Sequence, residues 1–375
     1  MRLTHRLELI KLTILIGILI SVVLSFNLWA GDRWFPKTAF IENYIGIPVR
    51  YDYVNFCVLL TLLFLSSVSQ KKMPTILLVL FCMYLCFDDQ NRLQPWFYNY
   101  LLMLCILLFY KNRVDEPNNY TTIFISLQLL VSLIYIFSGI QKMNSTFVPN
   151  TFELIAHNFD AILSTRQLNM VVKFGYAVPF IEVCFGVFLL LKPIRFIIVP
   201  LVILMHILLL ITMAPGNNDY NYIIWPWNVM MIVLVLLLFA RVNKERFFDI
   251  SFLFKSFSFF IVIVFMLICP VFSLNNKYDS FLSSSLFSSN LNKGELLLSS
   301  KAYHNLPYYI RRYCKKNEMT YILSIDNWAK DELNAPCVPE FRIYQNVQNY
   351  IIRLTKTNPQ DVKLNFIERE KLIRF

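Results

Sequence analysis

Apolar runs close to the length that crosses a bilayer recur through the first 275 residues of this 375-residue chain. Such runs constrain the fold strongly, because in lipid every backbone N–H and C=O must be satisfied within the segment itself. The chain is therefore expected to be an all-α polytopic membrane protein with about nine transmembrane helices. They fall near residues 9–30, 53–68, 74–87, 96–110, 120–140, 170–191, 196–213, 220–240 and 257–274. Composition agrees, since 57% of residues are hydrophobic and only 16% are charged. An ordinary soluble domain has a different balance. The first run has a basic start, but it is long and no small-residue cleavage site follows, so it reads as an uncleaved span.

The formal charge of +11 does not point to nucleic acid. Lysine and arginine cluster in short loops beside the spans, where they set orientation. Placing the N-terminus in the cytoplasm puts about twice as many basic residues on the inner side as in the short outer segments. Nine spans then leave the C-terminus outside. The lipid bilayer is the first expected partner, and a bacterial inner membrane the expected location.

After residue 275 the character changes. Residues 276–293 read as a Ser-rich linker, and residues 294–375 as a small extracytoplasmic α/β domain. Strands are expected at 294–298, 320–323 and 362–366, with helices at 326–333, capped by Asp326, and at 344–354. Phe152, Ile155, Phe159, Ile162 and Leu163 share one face at helical spacing and suggest a helix lying in the interface. Six of the eight cysteines lie in apolar spans, and no metal site is read from them. Cys314 and Cys337 lie in the tail, where an oxidising compartment permits a disulfide.

The polar residues of the spans are the candidates for function. Unpaired ionisable groups are costly in hydrocarbon, so Lys142, Glu182 and His206 each require a reason. In the expected orientation Lys142, the Asp88–Asp89–Gln90–Asn91–Arg92 turn, the Asn217–Asn218–Asp219 turn and Trp227–Asn228 collect on the outer side. Glu182 is expected near the midplane. Trp96, Trp225 and Trp227 suit an interfacial aromatic belt.

Three pieces carry a resemblance: Asp89-Gln90-Asn91-Arg92-Leu93-Gln94-Pro95-Trp96, Ser138-Gly139-Ile140-Gln141-Lys142-Met143-Asn144, and His206 with Pro226-Trp227-Asn228. Over residues 10–275 the chain resembles the horizontally transferred transmembrane family, which includes the vitamin K-dependent gamma-glutamyl carboxylase. A weaker similarity runs to the quinone-linked DoxX-type membrane proteins. The resemblance implies quinol-dependent chemistry in an outward cavity, with Lys142 as the base and His206 as hydrogen-bonding support. Asp89, Arg92, Trp96, Glu182 and Asn228 are the candidate cofactor-binding residues, and the implied cofactor is a quinol. The chain departs from the carboxylase in two ways: its fourth span lacks a histidine, and its tail is far shorter. The alternative is a non-enzymatic binding or assembly component that handles an exported peptide or partner protein. A transporter is disfavoured, because no inverted repeat or matching pair of broken spans is visible.

Overall fold

Long apolar helices dominate the computed structural model, which describes residues 3–41, 51–110, 117–214, 223–240, 256–285 and 287–372. In chain order these are α1 (Leu3–Leu24), α2 (Phe26–Ala30), α3 (Asp52–Val68), α4 (Met73–Asp88), α5 (Pro95–Leu108) and α6 (Pro117–Gln141). Then follow α7 (Glu153–Ala156), α8 (Thr165–Phe174), α9 (Val178–Leu190), α10 (Arg195–Thr212), α11 (Ile224–Phe239) and α12 (Phe257–Ser273). Three stretches are long and apolar enough to cross a membrane: His5–Leu24, Tyr120–Gln141 and Lys192–Thr212. The bent pair α8–α9 adds a fourth if it is one span, while α3, α4, α5, α11 and α12 are shorter apolar helices. The Asn217–Asn218–Asp219 turn and the basic segments Lys111–Arg113 and Arg241–Lys255 lie outside the described residues.

Local chemistry explains where the helices stop. Ser25 ends α1 by turning its hydroxyl back to the carbonyl of Ser21 at 2.8 Å, so residues 26–30 form a separate short helix and not the end of one span. The expected sixth span, residues 170–191, is also two pieces. Helix α8 starts with a capping box between Ser164 and Gln167. The chain then bends by 49° between α8 and α9. Gly175 stands at the break because a Cβ there would lie 2.3 Å from the ring of Phe152. Pro179 restarts the helix in its first turn, where a missing N–H costs little. The expected interfacial helix is broken up as well, into a π turn (Val148–Phe152), α7 and a 3-10 turn (His157–Phe159).

The tail is a four-stranded antiparallel sheet with helices packed on it. Its strands are β1 (Lys293–Leu298), β2 (Cys314–Asn317), β3 (Thr320–Ser324) and β4 (Val362–Ile367), in the order β2-β3-β1-β4. Helices α13 (Ser300–Asn305), α14 (Tyr308–Arg311), α15 (Ile325–Leu333) and α16 (Phe341–Thr355) complete it. Strand β2 escaped the sequence reading because Cys-Lys-Lys-Asn is a largely exposed edge without apolar alternation. Ser324, and not Asp326, caps α15, accepting the backbone N–H of Asn327. Cys314 and Cys337 are separate thiols, and the Cys337 thiol donates to the carbonyl of Val338. The disulfide that the sequence permits is not formed.

Asp326 instead lies half-buried under α16, where its carboxylate accepts the hydroxyl of Tyr344 at 3.3 Å. Burial pushes its pKa up to about 6, with the Tyr344 hydrogen bond and the neighbouring Lys330 and Lys293 opposing. An unfolded aspartate titrates near ~3.9. The raised folded value means that the contribution to stability is full below that point and is lost as pH rises through about 6. Thermal unfolding should therefore show Asp326→Asn more stable than the parent at pH 7.5, by on the order of 2 kcal/mol, and equal to it near pH 4. Equal stabilities at both pH values would remove Asp326 as the titrating group.

Candidate functional site

Helix α6 is apolar around most of its surface, but Gln128, Tyr135 and Lys142 recur every seven residues and so lie along one face. Each is used. Gln128 donates to the carbonyl of Leu238 at 2.6 Å, joining α6 to α11. Tyr135 and Lys142 organise two polar groups near the end of the bundle on which the tail sits.

Lys142 is not the lone cation that the sequence suggests. Its Nζ lies 2.7 Å from Oε2 of Glu182 and 2.6 Å from Oγ of Ser138, one turn earlier on α6. Both members of the ion pair are only 9% exposed, so the pair is shielded from water and held within a narrow geometry. The break before α9 makes this contact possible. It places Glu182 near the start of a helix, and not at the midplane of a straight span.

Close helix approach does the rest. A Cβ on Gly139 would lie 2.5 Å from the carbonyl oxygen of Pro179, and one on Gly186 would lie 2.5 Å from that of Ser132. The two glycines thus bring α6 and α9 into backbone contact, as small residues do between helices in lipid.

His206, on α10, is buried and uses both ring nitrogens. Nδ1 lies 2.7 Å from Oδ1 of Asn228, and Nε2 lies 2.7 Å from the hydroxyl of Tyr135. The Asn228 amide nitrogen donates to the carbonyl of Ile224 at 2.9 Å, which leaves its oxygen to accept. Nδ1 therefore carries the proton of the neutral ring, and Nε2 accepts from Tyr135. Tyr135 and Ser138 lie three residues apart on one face of α6, which brings the two groups side by side. Ion pair and hydrogen-bonded chain thus form one cluster: Lys142, Ser138, Glu182, Tyr135, His206 and Asn228. Within the ion pair a proton can sit on either Lys142 or Glu182, and the Tyr135–His206–Asn228 chain lies alongside.

From sequence Ser138 counts only as a small residue of the lysine motif, and Tyr135 has no role. Their spacing from Lys142, seven and four residues on a helix, was the signal that could have found them.

The Asp88–Arg92 turn belongs to a different network. Arg33, Lys37 and Arg92 interleave there with Asp52, Asp88 and Asp89. The guanidinium of Arg92 also donates to the carbonyls of Leu85 at 3.0 Å and Leu28 at 3.2 Å, and it lies over the Trp29 ring. Burial alone would raise the pKa of Asp89, but Arg33, Arg92 and the Thr38 N–H hold it below the usual carboxylate range.

The same turn seats the tail. Asn91 accepts the N–H of Val338 at 3.2 Å, Gln90 accepts from Arg342 at 2.6 Å, and Gln94 donates to the carbonyl of Pro336 at 2.9 Å. Glu332 of the tail reaches back to the N–H groups of Trp34 and Phe35. Asp89 and Arg92 are thus wholly buried in a clamp between bundle and tail.

Trp96 is buried too, so it is not part of an exposed aromatic belt. It packs edge-on against Tyr100, which in turn meets Trp227 at 5.1 Å between ring centres. Among the described residues, the Trp96 indole N–H and the Tyr100 hydroxyl have no hydrogen-bond partner. Comparison of the chain with protein-family models, with curated proteins and with solved structures finds no match.

Proposed function

We propose that the chain is a nine-span inner-membrane protein of the horizontally transferred transmembrane type that handles a quinol at the Lys142–Glu182 cluster. In this reading α1, α3, α4, α5, α6, α8–α9, α10, α11 and α12 are the spans, with the N-terminus cytoplasmic and the tail outside. Tail residues bond to the end of α1, to the turn between α4 and α5, and to residues just beyond α6 and α12, contacts that suit an odd number of passes. Of the basic residues on the outer side, Arg33, Lys37, Arg92 and Lys142 are paired with carboxylates. The segments placed in the cytoplasm hold about twice as many basic residues as the short outer ones, as the orientation rule expects.

One observation carries the chemical reading: a buried lysine–carboxylate pair lies beside a tyrosine–histidine–asparagine chain within an otherwise apolar bundle. A pair at 2.7 Å can exchange its proton, from ammonium and carboxylate to amine and carboxylic acid. The amine form of Lys142 is then a base for the hydroxyl of a bound hydroquinone, while His206 supports the site by holding the Tyr135 hydroxyl, whose oxygen remains able to accept from the ring hydroxyl. The spare donors of Trp96 and Tyr100 suit the carbonyl oxygens of the oxidised ring.

A mass-spectrometric inventory of what the purified protein retains tests this reading. The expected result is an isoprenoid quinone at near one per chain. A co-purified exported peptide or partner protein without quinone would overturn it in favour of an assembly role.

A further inference from the structure

The sheet of the tail has helices on one side only. Leu296, Leu298, Leu323 and Val362 are fully buried in the core that α13–α16 close. Alternation along the strands then turns Leu297, Ile322, Lys315 and Lys363 to the opposite face. Leu297 and Ile322 are half-buried and do not join that core. The pairing register sets these four residues side by side. Lys315 on β2 stands opposite Ile322 on β3, Ile322 opposite Leu297 on β1, and Leu297 opposite Lys363 on β4. One row therefore crosses the open face, apolar at its two central positions and cationic at each end. Three strand spacings put the two lysines ~14 Å apart.

Both lysines are exposed, and among the described residues neither is paired with a carboxylate. Ion pairs of the tail lie elsewhere, between Arg312 and Asp331 and between Arg342 and Asp279. Glu295 is the one carboxylate of the strands on this face, between Ser324 and Asn365, and the exposed Lys293 beyond it keeps the face cationic. The row also lies away from the bundle. Just before β1, the carbonyl of Ser288 accepts from Asn144 at 2.9 Å, which starts the strand beside the end of α6. Leu297 is four residues beyond Lys293, or ~13 Å along an extended strand. A second copy docked face to face would set lysine against lysine.

Charge selects an anionic occupant, and spacing selects its form. In an extended chain residues i and i+4 are ~13 Å apart and share one side with i+2. We propose that the open face of the tail binds an acidic extended segment of another protein. Carboxylates at i and i+4 would sit on Lys315 and Lys363, and an apolar side chain at i+2 would rest on Ile322 and Leu297.

The inference draws on the fold of the tail and not on quinol chemistry, so absence of retained quinone would leave it standing. Fluorescence anisotropy of the full chain in detergent tests it with a labelled peptide whose centre is Glu-Ser-Leu-Ser-Glu. Replacing both glutamates by glutamine should weaken binding by about tenfold, the scale of two exposed ion pairs. Moving the two glutamates next to each other should weaken it by about threefold, since only one can then reach a lysine. The double variant Lys315→Glu with Lys363→Glu should lose at least about tenfold in affinity for the first peptide. Its melting temperature should match the parent's, because both side chains are exposed. Equal affinity for the three peptides, or an unchanged affinity in the double variant, would overturn the assignment. So would flotation of the protein, held in phosphatidylcholine nanodiscs, with phosphatidylglycerol vesicles that the double variant fails to follow, because the face would then serve a lipid surface.

Discussion

Arg92→Met is expected to lower the stability of the protein by about 3–5 kcal/mol and to loosen the tail from the bundle. The size follows from what the guanidinium does. It faces Asp88 at 3.4 Å and Asp52 at 3.7 Å, and it donates to main-chain carbonyls at the end of α4 and in α2. Removing one partner of a buried ion pair leaves the other charged and desolvated, which is far worse than never having had the pair. Here Asp52 and Asp88 would both lose their guanidinium partner while keeping Lys37. Arg92→Lys should fail nearly as badly, because a single ammonium cannot reproduce the planar fork.

The readouts are the melting temperature in detergent and the rate at which protease releases the tail. The same variant discriminates between two roles for this turn. A protein that keeps its melting temperature but loses bound quinone would make Arg92 a ligand-contacting residue and not a clamp.

The second large effect lies at the cluster itself. Lys142→Met strands Glu182 in a nearly dry site, and the loss should again be about 3–5 kcal/mol. Adding Glu182→Gln to it should restore most of that stability, since the remaining groups are then neutral. Lys142→Arg should retain stability outright, because guanidinium keeps both the charge and the reach to Glu182. Glu182→Gln alone should be destabilising. If the double variant were no better than Lys142→Met, the 2.7 Å contact would not be a coupled pair.

Much of this architecture was readable from residues. Hydropathy located the apolar helices to within a few positions, because lipid imposes length and internal hydrogen bonding on them. Lys142, Glu182, His206 and Asn228 could be named as unusual, because polar groups in apolar runs stand out one at a time. What they pair with could not be read. The Lys142–Glu182 contact depends on a bend at Gly175 and on backbone approach at Gly139 and Gly186, neither of which leaves a periodic signal.

Asp89 and Arg92 looked like site residues for a related reason. Charged residues at the end of a span look alike in sequence whether they face a ligand or another loop. Only the fold shows that Arg33 and Lys37, more than fifty residues away in sequence, complete their network. The Ser-rich stretch after residue 275 was read as a linker from composition. In the structure Ser280, Ser283, Ser285 and Ser288 are buried, with Ser280 held by Glu340, so small polar residues there serve packing.

The proposed quinol chemistry needs a proton on Lys142 that is exchangeable and used. Oxidation of added menaquinol in air-saturated buffer, with dissolved dioxygen as the electron acceptor and the purified protein in lipid nanodiscs, followed by absorbance, tests it most directly in the Lys142→Arg variant. That variant should fold and pair with Glu182 as the parent does, yet a guanidinium does not give up its proton. The account predicts a rate at least about a hundredfold below the parent, on the scale of a lost general base, and no faster than Lys142→Met. A Lys142→Arg protein that turns over quinol at the parent rate would contradict it.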